Sequence, residues 1–122
     1  MKTIFLVDDN ATNIVTAKTA LEDTYKTYAM PSAARMFQML KKITPDLILL
    51  DIEMPEMDGF EAIKILKSKP ETKDIPVIFL TASSESEDRS EGITLGAIDY
   101  ISKPFQPAFL QQRISKHIGR SD

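Results

Sequence analysis

The most informative absence in this sequence is cysteine, which does not occur among the 122 residues. Without cysteine the chain has no disulfide bonds, no thiolate metal sites and no cysteine nucleophile, and a reducing compartment is the simpler expectation. Long hydrophobic runs are missing too, because no apolar stretch approaches the roughly eighteen residues that a membrane span needs. The first residues also lack the basic and then apolar pattern of a signal peptide. We therefore expect a soluble protein of the cytoplasm that does not bind membranes.

A surplus of basic charge is also absent, because 15 Lys and Arg residues stand against 18 Asp and Glu residues, for a formal net charge of −3. The totals therefore do not indicate that this domain binds nucleic acid. What is present is ordinary globular composition, with 43% hydrophobic and 27% charged residues. The length suits one domain, which we predict to cover residues 1–122.

Five segments have the composition of β-strands. Three of them are uninterrupted apolar runs, Ile4–Val7, Leu47–Leu50 and Val77–Leu80, and such runs are typical of strands covered on both faces of a parallel sheet. Two further segments, Tyr25–Met30 and Ile98–Ile101, mix polar with apolar residues. We therefore place these two at the edges of the sheet.

Segments with helical spacing separate and follow these strands. Apolar residues recur three or four positions apart in four of them, namely Ile14, Ala17 and Leu21; Met36, Met39, Leu40 and Ile43; Phe60, Ile63 and Leu66; and Leu110, Ile114 and Ile118. We also predict a helix over Glu85–Leu95, where the apolar stripe is thinner and Gly92 interrupts it. His117, the only histidine, lies in the last helix, and we expect a surface role for it. Strands that alternate with helices are parallel, so we predict an α/β fold with a doubly wound parallel sheet.

Polar residues follow four of the predicted strands. Asp8 and Asp9 come after the first apolar run, Asp51 after the second and Thr81 after the third, and Lys103 follows the last strand by two residues. In an open parallel sheet, ligands bind beyond the carboxyl ends of the strands. The sequence therefore predicts that three carboxylates, a hydroxyl and an ammonium group gather at one edge of the sheet.

Such a cluster of carboxylates calls for a cation, because the acids repel one another and an apolar floor makes each ionised form costlier. Oxygen ligands without histidine or cysteine favour a hard ion, and two or three carboxylates suit Mg²⁺. A metal beside a carboxylate, a hydroxyl and a lysine is typical of phosphoryl transfer. A carboxylate can itself be the nucleophile, and Asp51, alone at the end of a central strand, is best placed for that role.

Each of these residues also has a purely structural interpretation. Asp8, Asp9 and Asn10 precede a helix, where Asp and Asn often serve as caps. Thr81 at a strand end and Lys103 before a proline are unremarkable when taken singly. The chemical interpretation depends on four separate strand ends that supply compatible groups, which coincidence explains poorly.

The motifs of a known protein family occur in four segments, in the family's order and at its spacing: Val7–Asn10, Leu50–Gly59, Leu80–Ala82 and Asp99–Phe105. With these segments the chain resembles the receiver domain of two-component response regulators, and the resemblance covers essentially its whole length. It implies a flavodoxin-like receiver fold, with a five-stranded parallel sheet of strand order 2-1-3-4-5 and five helices.

The resemblance also implies a role for each residue at the predicted edge. Asp51 would be the phospho-acceptor. Asp8, Asp9 and Asp51 would hold Mg²⁺, or Mn²⁺ in its place, together with the backbone carbonyl of Glu53. Lys103 would pair with the oxygens of the phosphoryl group.

Further residues would respond to the phosphoryl group or control its lifetime. The resemblance implies that Thr81 moves to bond it and that Tyr100 turns inward as an aromatic switch. Pro104 would follow a cis peptide bond. Glu53 and Ser83, two residues past the acceptor and past Thr81, flank the path of attacking water in this family. We therefore expect these two residues to tune dephosphorylation.

A phosphorylation-activated signalling switch is the function that the resemblance implies. The chain would take its phosphoryl group from a histidine kinase or a phosphotransfer protein, and would not be an enzyme beyond its own phosphorylation from small donors and its own dephosphorylation. It would reach a downstream effector through the face formed by the fourth helix, fifth strand and fifth helix. A phosphorylation-dependent homodimer is compatible with this function.

Two other functions stay open. The first is a phosphate-independent interaction module on the same scaffold, although such domains usually lose part of the acidic pocket and this sequence retains it. The second is a phosphohydrolase of the haloacid-dehalogenase type, which also uses an aspartyl phosphate. In that type the nucleophile follows the first strand, whereas here the acid pair comes first, so the order of the motifs argues against it.

Overall fold

The structure is a computed structural model that describes residues 1–82 and 91–119. Its five strands are β1 Thr3–Val7, β2 Lys26–Met30, β3 Leu47–Asp51, β4 Val77–Thr81 and β5 Asp99–Ser102. Its helices are α1 Ala11–Leu21, α2 Ala33–Leu40, α3 Gly59–Ser68, α4, which is described over 91–94 only, and α5 Pro107–Ile118. Strands and helices alternate along the chain, as the hydrophobic pattern predicted.

All five strands pair in parallel, in the order β2-β1-β3-β4-β5. The predicted fold class and the flavodoxin-like strand order are therefore confirmed, and the two segments of mixed polarity do form the edges. The register aligns the carboxyl ends of neighbouring strands, with Asp51 beside Leu80 and Thr81 beside Ser102. The residues that follow the strands are consequently brought to one edge of the sheet.

Helices cover both faces of the sheet, which explains why the central strands are apolar throughout. Every residue of β3 and β4 is buried. On one face α1 and α5 contribute Leu21, Leu110 and Ile114 to the core. On the other face α2 and α3 contribute Met36 and Ile63. The carboxyl edge between these two layers is thus the place where polar groups of the central strands can meet solvent.

Side-chain caps fix where α1, α2 and α3 begin, and Ser32 caps α2 by accepting from the N–H of Arg35 at 3.2 Å. Asn10 caps α1 by accepting a hydrogen bond from the N–H of Asn13 at 3.1 Å. Asp58 caps α3 in a capping box with Glu61, in which each side chain accepts from the other's backbone N–H. Because caps supply partners for N–H groups that the helix itself leaves unpaired, they also define the loops that lead from β1 and β3.

A glycine at the start of α3 lets this helix lie directly against the end of β3. A Cβ atom on Gly59 would be 2.6 Å from the carbonyl oxygen of Asp51 and 2.8 Å from the Cα of Ile52. The N–H of Gly59 also donates to the carbonyl of Ile52 at 2.8 Å. Only a residue without a side chain allows so close an approach of two backbones, so Gly59 positions α3 beside the strand end that carries Asp51.

The structure differs from the prediction at the bounds of both edge strands. β2 begins one residue later than predicted, because the N–H of Tyr25 donates to the carbonyl of Leu21 at 2.8 Å in the turn after α1 and pairing with β1 begins at Lys26. β5 runs over Asp99–Ser102 rather than Ile98–Ile101, since its pairing with β4 begins at Asp99. The predicted helix Glu85–Leu95 falls largely outside the described residues. Within the described ranges, no helix has the length and apolar character to cross a bilayer.

Candidate functional site

The predicted site residues lie together at the carboxyl edge of the sheet. Asp51 and Thr81 are the last residues of β3 and β4. Asp8 directly follows β1, and Lys103 directly follows β5. Four strand ends therefore position these groups, at the edge where open α/β sheets bind their ligands.

Three carboxylates form an acidic cluster, defined here as Asp8, Asp9 and Asp51. One oxygen atom from each lies within 4.8 Å of the others. Asp8 is 0% exposed and Asp51 is 2% exposed, whereas Asp9 is exposed. The acidic cluster consequently has two members inside the protein and one at its rim.

Helix capping does not account for the acidic cluster, because Asn10 is the residue that caps α1. The two buried acids bind backbone instead. Asp8 Oδ1 accepts from the N–H of Asn10 at 2.9 Å, and Asp51 Oδ1 accepts from the N–H of Glu53 at 3.2 Å. These bonds orient both carboxylates, while the Glu53 side chain is exposed.

Lys103 is the counter-charge of the acidic cluster. Its Nζ lies 3.0 Å from Asp8 Oδ2 and 3.0 Å from Asp51 Oδ1, and no other ion pair to these acids occurs among the described residues. Burial raises the pKa of Asp51 from 3.8 to about 6, although the Lys103 hydrogen bond opposes the rise and the Asp8 charge adds to it. Burial alone would lower the pKa of Lys103, but its contacts with Asp51 and Asp8 raise it above its ordinary value. One ammonium group thus pairs with two of the three carboxylates and does not balance the charge of the cluster.

The residues present fit a hard divalent cation. Asp8 Oδ2 is buried, and its one charged partner in the described part of the chain is Lys103 Nζ at 3.0 Å, which it shares with Asp51. Two buried carboxylates that share one counter-charge are costly to keep ionised. The donor set contains oxygen only, with neither histidine nor cysteine, which is the chemistry that Mg²⁺ prefers.

The remaining site residues surround the end of β4 and β5. Thr81 is 2% exposed, and its carbonyl accepts from the N–H of Lys103 at 2.7 Å. The peptide bond between Lys103 and Pro104 is cis, as the resemblance implied. Tyr100 is partly exposed and packs against the core on the α3 side of the sheet. Ser83 lies outside the described residues.

A second polar cluster, which the sequence did not predict, involves the only histidine. His117 is 20% exposed and its Nε2 lies 2.9 Å from Asp99 Oδ2, so it is partly buried and paired with a carboxylate, which the expected surface role did not include. Arg113 contacts the same carboxylate. The available signal was the spacing of Arg113 and His117, because residues four apart share one face of a helix.

The sequence profile of the response regulator receiver domain family matches residues 4–115. The chain therefore belongs to this family of two-component signalling proteins. The acidic cluster and Lys103 are the polar groups that its receiver fold brings to the carboxyl edge.

Particular relatives cover the chain almost completely. Over 116 residues the chain is 42% identical to a probable cyclic di-GMP phosphodiesterase of Vibrio cholerae. The matching region covers 95% of this chain but only 26% of that relative. The chain spans between about a quarter and about half of the length of the curated relatives it matches.

Two solved structures show the same fold. A putative response regulator of Chloroflexus aurantiacus has a TM-score of 0.91 and 30% identity, with 98% of each chain covered. The Mn²⁺-bound form of response regulator Rcp1 has a TM-score of 0.84 and 25% identity, with 94% of this chain and 93% of that chain covered.

Proposed function

We propose that this protein is a phosphorylation-activated switch that accepts a phosphoryl group on Asp51. The observation that carries the proposal is the position of Asp51, a buried carboxylate at the end of the central strand β3, 3.0 Å from Lys103 and within the acidic cluster. Two contacts to Oδ1, from Lys103 and from the N–H of Glu53, hold the carboxylate in one orientation. A carboxylate oriented in this way is poised to act as a nucleophile.

The proposed step is a displacement at phosphorus. A carboxylate oxygen of Asp51 forms a bond to the phosphorus of a phosphohistidine in a histidine kinase or phosphotransfer protein. The P–N bond breaks, and its electron pair goes to the imidazole nitrogen of the donor, which takes up a proton. Lys103 then faces the added negative charge of the phosphoryl oxygens. Stabilising that charge is the main task of a protein in phosphoryl transfer.

Mg²⁺ would be held by Asp8, Asp9 and Asp51 together with the backbone carbonyl of Glu53. When bound, the ion supplies positive charge that offsets the carboxylates and the phosphoryl oxygens. The fit to an all-oxygen donor set and the buried Asp8 Oδ2 support this assignment. Mn²⁺ is an alternative ion, and the similar response regulator Rcp1 has been solved in a Mn²⁺-bound form.

Phosphorylation would be read out through partner binding. Thr81 would bond the phosphoryl group and Tyr100 would turn inward with it. Effectors, or a second phosphorylated copy, would bind the face formed by α4, β5 and α5. The chain would work in the cytoplasm and would catalyse only its own phosphorylation from small donors and its own dephosphorylation, which Glu53 and Ser83 would tune.

Labelling with a small phosphodonor tests the proposal. Acetyl phosphate with Mg²⁺ should add one phosphoryl group to the wild-type chain, measured by intact mass, and none to Asp51→Asn. Asp23→Asn is the matched control, because it makes the same change at an exposed position between α1 and β2 and should label normally.

Three results would contradict the proposal. They are labelling that survives in Asp51→Asn, a wild-type chain that never becomes labelled, and continuous turnover of soluble phosphate esters. The second would favour a phosphate-independent interaction module, and the third would favour a phosphohydrolase.

A further inference from the structure

The carboxylate of Asp99 has three donors of its own. Asp99 is the first residue of β5 and is 8% exposed. Its Oδ1 accepts from the backbone N–H of Tyr100 at 2.8 Å and from the Arg113 guanidinium, and its Oδ2 lies 2.9 Å from His117 Nε2. These groups form what we call the Asp99 hub: Asp99, the Tyr100 N–H, Arg113 and His117.

The α5 side of the Asp99 hub is a single stripe of the helix. Phe109, Arg113 and His117 are spaced four residues apart, so they share one face of α5. The Arg113 Cζ lies 5.3 Å from the centroid of the Phe109 ring, a cation–π contact that also restrains the guanidinium. Asp99 therefore binds two successive turns of α5 rather than one exposed side chain.

The end of α5 is held from the opposite side as well. The Lys2 ammonium contacts the carbonyl of Ile118, and the Tyr25 hydroxyl donates to the carbonyl of Gly119 at 2.8 Å. Lys2 precedes β1 and Tyr25 precedes β2. Because these bonds use the last carbonyls of the helix, α5 cannot shift along β5 without also changing its contacts to the far side of the sheet.

The electrostatics of the Asp99 hub favour a charged, fully bonded carboxylate. Burial by itself would raise the pKa of Asp99, but the bonds from Arg113 and His117 outweigh it and lower the pKa below its ordinary value. Charge-assisted hydrogen bonds are also stronger than neutral ones. The contact between β5 and α5 is therefore a strong and specific connection, which movement of either element must carry along or break.

We propose that Asp99 is a positioning residue that couples β5 to the last two turns of α5. β5 carries Tyr100 and leads directly to Lys103, so a response of either residue to phosphorylation moves the backbone that Asp99 binds. Arg113 and His117 follow the carboxylate, and the partner-binding face of α5 changes with them. This inference rests on the proposed phosphorylation of Asp51.

A purely structural ion pair would stabilise the protein without passing a change in β5 on to α5. The test must therefore measure whether phosphorylation alters α5. Hydrogen–deuterium exchange of the amides of residues 113–118 is compared with and without beryllofluoride and Mg²⁺, which mimic the phosphoryl group. In the wild-type chain, exchange there should change by at least about fivefold, the lower range for coupled sites. In Asp99→Asn the change should fall below about twofold.

Two further variants make the result specific. His117→Gln keeps a neutral donor on the same helix face and leaves Arg113 in place, so it should fold and give an intermediate response. Lys116→Gln removes a cation from the same turn at an exposed position that does not belong to the Asp99 hub, and it should respond like the wild type. Labelling of Asp51 by acetyl phosphate should persist in all three variants.

The outcomes separate this inference from the proposed function. An undiminished response of residues 113–118 in Asp99→Asn and His117→Gln overturns the coupling. So does a wild-type chain that labels on Asp51 but shows no response in α5. A wild-type chain that neither labels nor responds to beryllofluoride anywhere refutes the proposed function, and the coupling with it.

Discussion

Two buried aspartates of the sheet, Asp51 and Asp99, behave in opposite ways. Asp51 ends β3 and is 2% exposed, and Asp99 begins β5 and is 8% exposed. Burial raises the pKa of Asp51 to about 6, whereas the pKa of Asp99 is lowered despite its burial. Residue type and depth are therefore nearly equal, and the difference comes from the partners.

The comparison distinguishes a carboxylate whose partners are all supplied by the protein, Asp99, from one that lacks partners and can bind a ligand, Asp51. Asp99 has Arg113, His117 and a backbone N–H for itself. Asp51 shares one ammonium group, that of Lys103, with Asp8. A carboxylate without enough donors destabilises the folded protein until a cation arrives, so the imbalance marks the functional end of the sheet.

The largest effect should come from removing the satisfied carboxylate. Asp99→Ala should lower the free energy of unfolding by about 3 kcal/mol, because breaking a buried ion pair leaves its partner charges without compensation. We expect a loss at the low end of the range for broken buried ion pairs, because the Arg113 side chain is 31% exposed. Urea unfolding measures the change. Asp23→Ala, an exposed control, should stay within about 0.5 kcal/mol, and a loss below about 1 kcal/mol in Asp99→Ala would contradict this half of the comparison.

At Asp51 we expect a substitution to raise the free energy of unfolding, the opposite of the effect at Asp99. Native Asp51 holds its proton up to a pKa of about 6 and the unfolded chain only up to about 3.8, so ionisation destabilises the native state increasingly as pH rises between these values. At a pH well above 6 and without metal, the free energy of unfolding of Asp51→Asn should be about 2 kcal/mol higher than that of the wild type. One pKa unit is worth ~1.4 kcal/mol, and solvent screening removes part of the resulting destabilisation. Below the lower value the two proteins should be equally stable.

The metal supplies a further check on that prediction. Added Mg²⁺ should stabilise the wild-type protein more than Asp51→Asn, because the stabilisation by a ligand increases with the logarithm of its affinity for the native state. Urea unfolding across a range of pH, with and without Mg²⁺, measures both effects. A variant that is less stable than the wild type at high pH without metal would show that Lys103 already compensates Asp51.

The sequence predicts the site around Asp51 but not the Asp99 hub. Asp8, Asp51 and Thr81 follow uninterrupted apolar runs, and parallel strands must end at a common edge, so their meeting could be derived from the pattern alone. The Asp99 hub depends on the register of β5 against α5, which the periodicity of either segment does not determine. The pairing of His117 with Asp99 was missed for the same reason, since an amphipathic helix indicates which face is apolar but not which polar residue lies at its border.

The smallest effect should come from a charge that is near Asp51 but exposed. The Glu53 side chain is exposed, two residues after Asp51, so water and salt screen it in a way that they do not screen Asp8. Glu53→Gln should speed labelling by acetyl phosphate about two- to threefold at low ionic strength, because it removes repulsion of an anionic donor, and the gain should vanish at high salt. Glu22→Gln makes the same change at an exposed position just after α1 and should leave the rate unchanged. A slower rate, or a gain that resists salt, would mean that Glu53 acts on bound groups directly and belongs with the buried carboxylates rather than with the surface.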